Sequence, residues 1–485
     1  MDITYSYRPY FDPEFDSLIE RIHPPRVCID NDTCQDCTLI KVDSANRQGI
    51  LLEMVQVITD LELVISKSYI SSDGGWFMDV FHVTDQLGNK ITDENLINYI
   101  QQLILQAMSA RSRKTKTEVQ PSIWRNARPR HISIDQTALE MTVKDRPGVM
   151  SEISAVLAEL GCQVSAAAAW THNDRAACII YLEDKLNGSP ITDPCRVAHI
   201  QALLENVVEA HHYTGERRSL RLAVPTTSRT HTERRLHQLM ANDRDYEEVY
   251  GRCRAESESE GAKVTVDNCA EKGYSIVTVR CSDRPKLLFD TVCALTDLQY
   301  VVFHASISSH RSIAVQEYYV RQEDGCTANT EEERLIVIKC LTAAVERRVS
   351  NGLRLDVSTQ DRAGLLSDVT RVFRENGLSI VRAELGTCNE RAVGTFYVKD
   401  TSGFYVNSDT VEAVRREIGG TNLVVNISTD CSIPQTSEMT STSWTVNTSM
   451  HGPKGSNVED RSRFSLGDLL WSQIERLSSS FRPIK

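Results

Sequence analysis

The sequence contains no run of about 18 apolar residues, the length that a helix needs to cross a bilayer, so we expect no membrane-spanning segment. Its first residues, Met-Asp-Ile-Thr-Tyr, include an acid and lack both Arg and the basic-then-apolar order of a secretory signal. Basic residues are fewer than acidic ones: the chain has 54 Lys and Arg and 66 Asp and Glu, which gives a net charge of −12. Nucleic-acid binding needs cations that displace phosphate counterions, so we do not expect a nucleic acid as partner.

Catalytic signatures are missing as well. There is no phosphate loop of the form G-x-x-x-x-G-K-[ST] and no G-x-S-x-G elbow. No carboxylate pair or Ser/His/Asp set can be placed along the chain, although such sets are defined in space and not by sequence order. We therefore expect no catalytic residues and no cofactor, and we predict that the protein is not an enzyme.

What the chain does have is an ordinary globular composition over 485 residues, 41% of them hydrophobic and 25% charged. This length suggests about three domains, with two or four as alternatives. Most of the 14 cysteines stand in apolar runs, which favours reduced thiols in a cytoplasmic protein. The pair Cys34-x-x-Cys37 invites a zinc site, but no partner Cys/His pair has suitable spacing, so we expect no metal.

One short pattern occurs four times, with Arg in its second place each time. It reads NRQGIL at 46–51, DRPGVM at 145–150, DRPKLL at 283–288 and DRAGLL at 361–366. A β-like run precedes each copy, and apolar residues at helical spacing follow it. Two further β-like runs and a second helix come next. Four recurrences in matching surroundings indicate an internal repeat of about 80 residues.

Each repeat is predicted as strand–helix–strand–strand–helix–strand, the ferredoxin-like βαββαβ motif, so the fold class is α+β. A final strand is predicted at 220–224 and at 423–427, and none is evident in the third repeat. A unit this small leaves a sheet edge uncovered, so we expect the four units to pack in pairs. The predicted boundaries are 36–116, 127–210, 271–350 and 351–430 for the units, 211–270 for a linker with a helix, and 431–485 for a Ser/Thr-rich tail with a C-terminal amphipathic helix.

The repeated loop joins the first strand of each unit to the first helix. Its Gly lets a ligand approach the backbone, and the free N–H groups of the helix N-terminus favour an anion. The preceding Asp or Asn can accept a hydrogen bond from an ammonium group, so the loop can hold both ends of a free amino acid. The alternative is a tight turn whose Asp caps the helix and which binds nothing.

The order of elements and the Asp-Arg-Pro-Gly loop resemble the ACT domain, a regulatory amino-acid-binding module. Four such units without an attached enzyme resemble the plant ACT domain repeat (ACR) family, over about residues 36–430, the linker segment 231–237 and the tail segment 464–477. The resemblance implies that an effector binds at the loop, often where two ACT domains meet.

The effector-binding residues implied by the resemblance are Asp145, Arg146, Pro147 and Gly148 of the second unit, Asn46 and Gly49 of the first, and Asp361 and Gly364 of the fourth. The second unit is the strongest candidate because it keeps the full pattern. In the third unit Lys286 replaces the Gly, and its side chain either blocks the pocket or fills it.

The predicted function is that of an amino-acid-binding regulatory protein in amino-acid or nitrogen signalling. Its expected partners are a free amino acid and an unidentified protein, with a homodimer left open. Two alternatives remain: a ligand-free interaction scaffold, and a cryptic enzyme related to the bacterial uridylyltransferase nitrogen sensor.

Three segments outside the repeats carry their own expectations. His231 and His237 are predicted to lie on a surface helix. The basic stretch 111–130 is predicted to be a solvated linker, with a nuclear import signal or a phosphate contact as the alternatives. The tail helix at 464–477 is predicted to dock on the protein's own units or in the groove of a partner.

Overall fold

The computed structural model describes residues 24–73, 75–108, 136–210, 216–225, 230–247, 261–269, 271–310, 312–323, 325, 330–349, 352–388, 391–402, 406–419 and 423–426. Within these ranges, sixteen strands and eight helices form four α+β units, and a ninth helix connects the second unit to the third. None of the helices in these ranges is long and apolar enough to cross a membrane. The basic stretch 111–130 and the tail segment 464–477 lie outside the described residues.

The elements fall into four groups along the chain. The first unit contains β1 (Arg26–Asp30), β2 (Thr38–Ala45), α1 (Ile50–Asp60), β3 (Val64–Asp73), β4 (Trp76–Thr84) and α2 (Glu94–Met108). The second contains β5 (Thr137–Lys144), α3 (Val149–Glu159), β6 (Cys162–His172), β7 (Arg175–Asp184), α4 (Pro194–Glu209) and β8 (Ser219–Ala223), and the connecting helix α5 (Thr232–Asn242) follows.

The second half of the chain repeats the arrangement. The third unit contains β9 (Lys263–Cys269), β10 (Tyr274–Ser282), α6 (Leu287–Asp297), β11 (Tyr300–His310), β12 (Ile313–Gln322) and α7 (Glu331–Glu346). The fourth contains β13 (Leu353–Gln360), α8 (Leu365–Glu375), β14 (Leu378–Cys388), β15 (Arg391–Asp400), α9 (Ser408–Ile418) and β16 (Leu423–Asn426).

The four units form two eight-stranded sheets and not four separate ones. The first sheet has the order β1-β2-β4-β3-β11-β12-β10-β9, so it joins the first unit to the third. The second has the order β16-β13-β15-β14-β6-β7-β5-β8, so it joins the second unit to the fourth. The expected packing in pairs is confirmed, and each unit pairs with the next but one along the chain.

The two junctions are antiparallel pairings between the strands that follow the first helix of each unit. In one, β3 pairs with β11, and in the other β6 pairs with β14. A register shift precedes the paired stretch in each of these four strands, for example between Val164 and Ala166 of β6. Such a bulge bends a strand and increases its twist, and here it recurs where each unit meets its partner.

The predicted order of strands is wrong for the first and third units. Their edge strands, β1 and β9, come before the strand with which they pair, whereas β8 and β16 come after the second helix. An antiparallel edge position can be filled from either end of a unit, and the chain uses both solutions. The predicted linker 211–270 therefore contains β8 and β9, which belong to sheets, and the predicted start at 36 leaves out β1.

Helix α5 lies between the two sheets. Leu236, Leu239 and Met240 on α5 pack with Trp170 and Tyr181 on the face of the second sheet that the unit helices leave uncovered. On the other side, Arg234 and Gln238 reach Asp297 at the end of α6, at 3.0 and 3.1 Å. The expectation of a surface helix is wrong for His237, which is 2% exposed.

We expect α5 to hold the two sheets together, which a pair of Leu→Ala variants tests. Leu236→Ala should lower the free energy of unfolding by about 2–5 kcal/mol, because a fully buried side chain leaves a cavity. Leu186→Ala, the same change at a side chain that is 93% exposed, should alter it by less than about 0.5 kcal/mol. Urea unfolding of both variants is the measurement, and equal effects would contradict a bridging role for α5.

Candidate functional site

The repeated loop is a tight turn that delivers the chain into the first helix of its unit. In the second unit the N–H of Val149 donates to the carbonyl of Arg146, at 3.4 Å, and Gly148 has φ 87° and ψ −7°. With Pro147 fixing φ near −65°, this is a type II turn, which takes Pro in its second place and a positive φ in its third. The Pro-Gly pair therefore follows from the turn and does not by itself indicate a ligand.

The repeated turn has no capping side chain. The residues that cap the four first helices are Gly49, Gly148, Lys286 and Gly364, all with left-handed backbone and none with a side-chain hydrogen bond to the helix. In the first three units, the Asp or Asn that opens the pattern instead donates its backbone N–H to the β-hairpin of its unit, as Asp145 does to Asp174 O at 2.8 Å. The alternative in which this Asp caps the helix is therefore wrong.

The Arg of the pattern is fastened to an acid in the first turn of the helix. Arg146 forms two hydrogen bonds with Glu152, one of them at 3.0 Å, and Arg362 pairs with Asp368 at 2.5 Å. The same pair recurs as Arg47 with Glu53 and as Arg284 with Asp290, at 2.7 Å in the latter. The Arg thus braces the loop. An acid six residues after each Arg was the sequence signal for this brace.

Two clefts open where the second and fourth units meet. There α3 packs against α8, and the hydroxyls of Ser154 and Thr370 lie 3.0 Å apart across the contact. Each cleft combines the turn of one unit with the helix end and second strand of the other. One is lined by residues that include Asp145, Gly148, Trp170, Thr171, Arg374 and Ser379, and the other by residues that include Ala158, Val164, Asp361, Gly364, Ser367 and Thr387.

The two clefts correspond position by position but differ in one side chain. Arg374 follows Gly364 by ten residues, and Ala158 follows Gly148 by ten. Cδ of Arg374 lies only 2.8 Å from where a Cβ on Gly148 would stand, whereas on Gly364 that atom would meet only the Cβ of Ala158, at 3.9 Å. The turn of the second unit is covered by an Arg stem, whereas the turn of the fourth has only the small Ala158 beside it.

The acids in the two clefts have different surroundings. Burial raises the pKa of Asp145 to about 6, with help from the charge of Asp174 and against that of Lys399. Asp361 accepts hydrogen bonds from Gln163 of the second unit at 3.3 Å and from Thr387 at 3.2 Å. A carboxylate that burial disfavours gains from a nearby cation, so Asp145 suits an ammonium group.

Both clefts are narrow. The cleft at Gly364 encloses room for about one water molecule, and the cleft at Gly148 for about two or three. A free amino acid can enter either of them only if the turn of one unit moves away from the helix of the other.

In the third unit, the turn contacts the connecting helix α5. Lys286, at φ 66°, forms an ion pair with Glu233 of α5. Glu233 also pairs with Arg348 at 3.2 Å. Burial alone would raise the pKa of Glu233, but Arg348 and Lys286 outweigh burial and hold it below its usual value. The side chain of Lys286 is therefore held by an acid of α5, and its predicted effect on ligand binding stays a prediction.

The charged groups around this loop form a buried network that joins the units. Asp290 accepts from Arg348 at 2.7 Å and lies 2.8 Å from His237 Nε2. Arg348 and Arg284 hold the pKa of Asp290 well below its usual range, although burial acts in the other direction. From the second unit, the ring of Trp170 lies 4.9 Å from that of His237 and 4.8 Å from the guanidinium of Arg348.

A second arm of the network reaches the end of β6. Arg347 pairs with Asp245 at 2.5 Å, and Asp245 also lies 2.9 Å from His172 Nδ1. Burial alone would lower the pKa of His172, but its hydrogen bonds with Asp245 and Glu346 raise it instead. Sequence reasoning missed this network, because its members lie far apart along the chain.

The first unit has neither an Arg cover nor an internal occupant at its turn. Nothing lies within 4 Å of the place of a Cβ on Gly49, and the N–H of Asn46 donates to Gly75 O at 2.7 Å. Gln48 contacts Glu323 of the third unit. On β4, Asp79 is 1% exposed, and burial raises its pKa well above the usual value. The alternation of β4 places Asp79 on the same face as the buried Phe77 and Phe81, and this was the sequence signal for a buried acid.

Over the described ranges, no three or more His, Cys, Asp and Glu side chains are grouped so that they could hold a metal ion.

Comparison with known proteins gives one family. Residues 33–111 match the ACR family N-terminal ACT domain. The ACT domain-containing protein ACR1 of Arabidopsis thaliana is 50% identical over 99% of this chain and 99% of its own length. The ACT domain-containing protein ACR3 of the same plant is 51% identical over 86% of this chain and 90% of its own.

More distant similarities are partial. A bifunctional uridylyltransferase/uridylyl-removing enzyme of Azospirillum brasilense is 40% identical over 86 residues, which are 18% of this chain and 9% of that enzyme. Among solved structures, aspartate kinase from Synechocystis aligns over 79% of this chain and 55% of its own at 13% identity and a TM-score of 0.14, which carries no argument.

The ion pairs of Glu233 make stability depend on pH. Because the pKa of Glu233 is lower in the folded protein than in the unfolded chain, its contribution is present above the unfolded value of about 4.3 and is lost as the pH falls below it. We expect Glu233→Gln to lower the free energy of unfolding by roughly 1–3 kcal/mol at pH 7, and the difference from wild type to shrink toward pH 3.

Urea unfolding at a series of pH values measures this difference. Glu209→Gln is the matched control, because Glu209 is 64% exposed and pairs with Arg218 at the surface, where ion pairs contribute little. A difference between Glu233→Gln and wild type that stays constant from pH 7 to pH 3 would contradict the ion pairs described here.

Proposed function

This chain belongs to the ACR family of ACT-domain proteins, and on that premise we propose that it is a regulatory protein that binds a free amino acid and reports it to a protein partner. Membership in a family built from ACT domains supports the regulatory role. The ligand, its site and the partner are proposals, for which the clefts between the second and fourth units give the physical support.

The observation that carries the proposal is the composition of these clefts. Each has a helix N-terminus without a capping side chain, which favours a carboxylate. Each also has an acid, Asp145 or Asp361, which suits an ammonium group. A free amino acid presents both groups a short distance apart. The two helices meet in a contact between units, so a ligand there would touch both units at once.

We propose the fourth-unit turn as the principal site. Asp361 and Gly364 face the small Ala158, whereas Arg374 covers Gly148 in the other cleft. Asp145, Arg146, Pro147 and Gly148 are proposed as a second site that binds only when the Arg374 side chain moves. Arg146 and Arg362 would act by bracing their turns and not by contacting the ligand. Asn46 and Gly49 remain a proposed site of the first unit.

The narrowness of the clefts suggests how binding would be reported. A ligand that enters must separate a turn from the partner helix, so it binds the separated arrangement more tightly than the closed one. A ligand can shift an equilibrium only through such a difference in affinity. Strand β6 lines the cleft at Gly148, and Trp170 of this strand contacts His237 and Arg348. A shift in β6 would therefore reach the third unit.

Two other functions predict different behaviour. A ligand-free scaffold would keep its clefts closed and show no stabilisation by amino acids. A cryptic uridylyltransferase would turn over nucleotides, but the similarity to that enzyme covers only 9% of it. The regulatory function is favoured over the second alternative, and a nucleotide turnover assay with the purified chain tests the choice.

A thermal-shift screen of the full chain against the free amino acids tests the proposal. A ligand at ~100 times its dissociation constant should add about 2.7 kcal/mol of stability. Ala158→Arg, which copies the side chain of Arg374 into the open cleft, should abolish most of the shift. Arg374→Ala, which removes the cover from the other cleft, should preserve or increase it.

Glu159→Arg is the control for Ala158→Arg, because it adds the same side chain at the exposed neighbouring position. It should leave the shift unchanged. If no amino acid stabilises wild type or Arg374→Ala, the scaffold is favoured. If a shift survives in Ala158→Arg, the ligand binds elsewhere than at Gly364.

A further inference from the structure

Two cysteines in the loop between β1 and β2 lie close enough to react with each other. The Sγ atoms of Cys34 and Cys37 are 3.2 Å apart, and Cys37 donates to Cys34. Cys37 is buried, at 6% exposure, and Cys34 is partly exposed. One thiol is thus within reach of a molecule from solvent, and the second stands directly behind it.

The loop that carries them is fixed at both ends. At its end, the hydroxyl of Thr38 donates to Asn31 Oδ1 at 2.6 Å and accepts from Ile91 N at 2.9 Å. At its start, Asp30 accepts from the N–H groups of Asp32 and Thr33, at 2.8 and 3.0 Å. The ends are held without a bond between the two sulfurs, so the pair can change its oxidation state while β1 and β2 stay in place.

We propose that Cys34 and Cys37 form a redox-active dithiol that exchanges with small disulfides of the glutathione class. The Cys34 thiolate attacks one sulfur of the disulfide, so that a mixed disulfide forms and one thiolate leaves. Cys37 gives up its proton and attacks Cys34 Sγ, which breaks the mixed disulfide and releases the second thiol. The protein loses two electrons and two protons, and the small disulfide becomes two thiols.

The protonation of the two groups fits these roles. The hydrogen bond from Cys37, with those from the backbone of Asp36 and Cys37, lowers the pKa of Cys34 against the effect of burial. Burial and the bond to Cys34 raise the pKa of Cys37 to about 12. An attacking thiol needs thiolate character and access, and Cys34 has both.

Other cysteines in the described part of the chain have different surroundings. Burial raises the pKa of five of them, namely Cys162, Cys178, Cys281, Cys293 and Cys340. Cys28 and Cys195 are exposed, and no hydrogen bond to a second sulfur is seen for either. Cys195 therefore serves as an internal reference thiol.

The test equilibrates the full chain with reduced and oxidised glutathione at a series of ratios, quenches with acid, alkylates the free thiols and maps the peptides. We expect a disulfide between Cys34 and Cys37 at ratios that leave Cys195 alkylated. Cys37→Ser should stop the reaction at the first step and accumulate a glutathione adduct on Cys34. Cys28→Ser should leave the disulfide unchanged.

Two results would overturn the proposal. In one, Cys34 and Cys37 remain alkylated at ratios that already modify Cys195. In the other, the disulfide joins Cys28 to either of them. Circular dichroism of the oxidised and reduced chains is the second measurement, and we expect the same spectrum because the loop ends are fixed. None of these readouts depends on amino-acid binding.

Discussion

Antiparallel pairing between the strands that follow the first helix of each unit is the constraint on which the other features depend. A single unit would leave the edges of β3, β6, β11 and β14 with unpaired N–H and C=O groups, which is an unstable and association-prone state. Pairing β6 with β14 satisfies these groups and brings α3 against α8 on one face of the sheet. The two clefts exist only because of that contact. The candidate site is therefore a property of a pair of units, and a single unit has only half of each cleft.

The turns in the two sheets have different surroundings. In the second sheet, the turn at Gly364 has only the Cβ of Ala158 near it. In the first sheet the turn of the third unit receives Glu233 from α5, and Lys286 holds it there despite a backbone conformation that disfavours a side chain. Asp290, Arg348 and His237 extend that contact into a buried network of hydrogen bonds. Burying these charges is costly unless each keeps its partners, so this junction resists rearrangement more than an apolar contact would.

Local features were predictable from the sequence, and pairings between distant segments were not. The spacing of Val149, Ile153 and Leu157 indicates a helix with one buried face, and three of the four turns have the Gly that a type II turn requires. The edge strand β9 was placed in a linker because its alternation is short and it precedes its unit. Which unit pairs with which depends on complementary edges and on the connecting lengths, neither of which leaves a local pattern. The contact of Arg374 with Gly148 was not predicted either, because the two residues are far apart along the chain.

Open and filled turns in one chain suggest a division of labour. A turn that is already filled cannot respond to a ligand, but it can respond to movement of the helix that fills it. Trp170 and His172 stand at the end of β6, and both touch the network around α5. A change in the β6–β14 junction would therefore alter contacts that Asp290 and Arg348 need, and strain in that network would in turn favour one state of the clefts. If the proposed ligand binds in the clefts and a partner binds the first sheet, coupling of this kind is reciprocal, and each changes the affinity for the other by the same factor. The partner and the ligand would then compete or cooperate through α5 without ever touching each other.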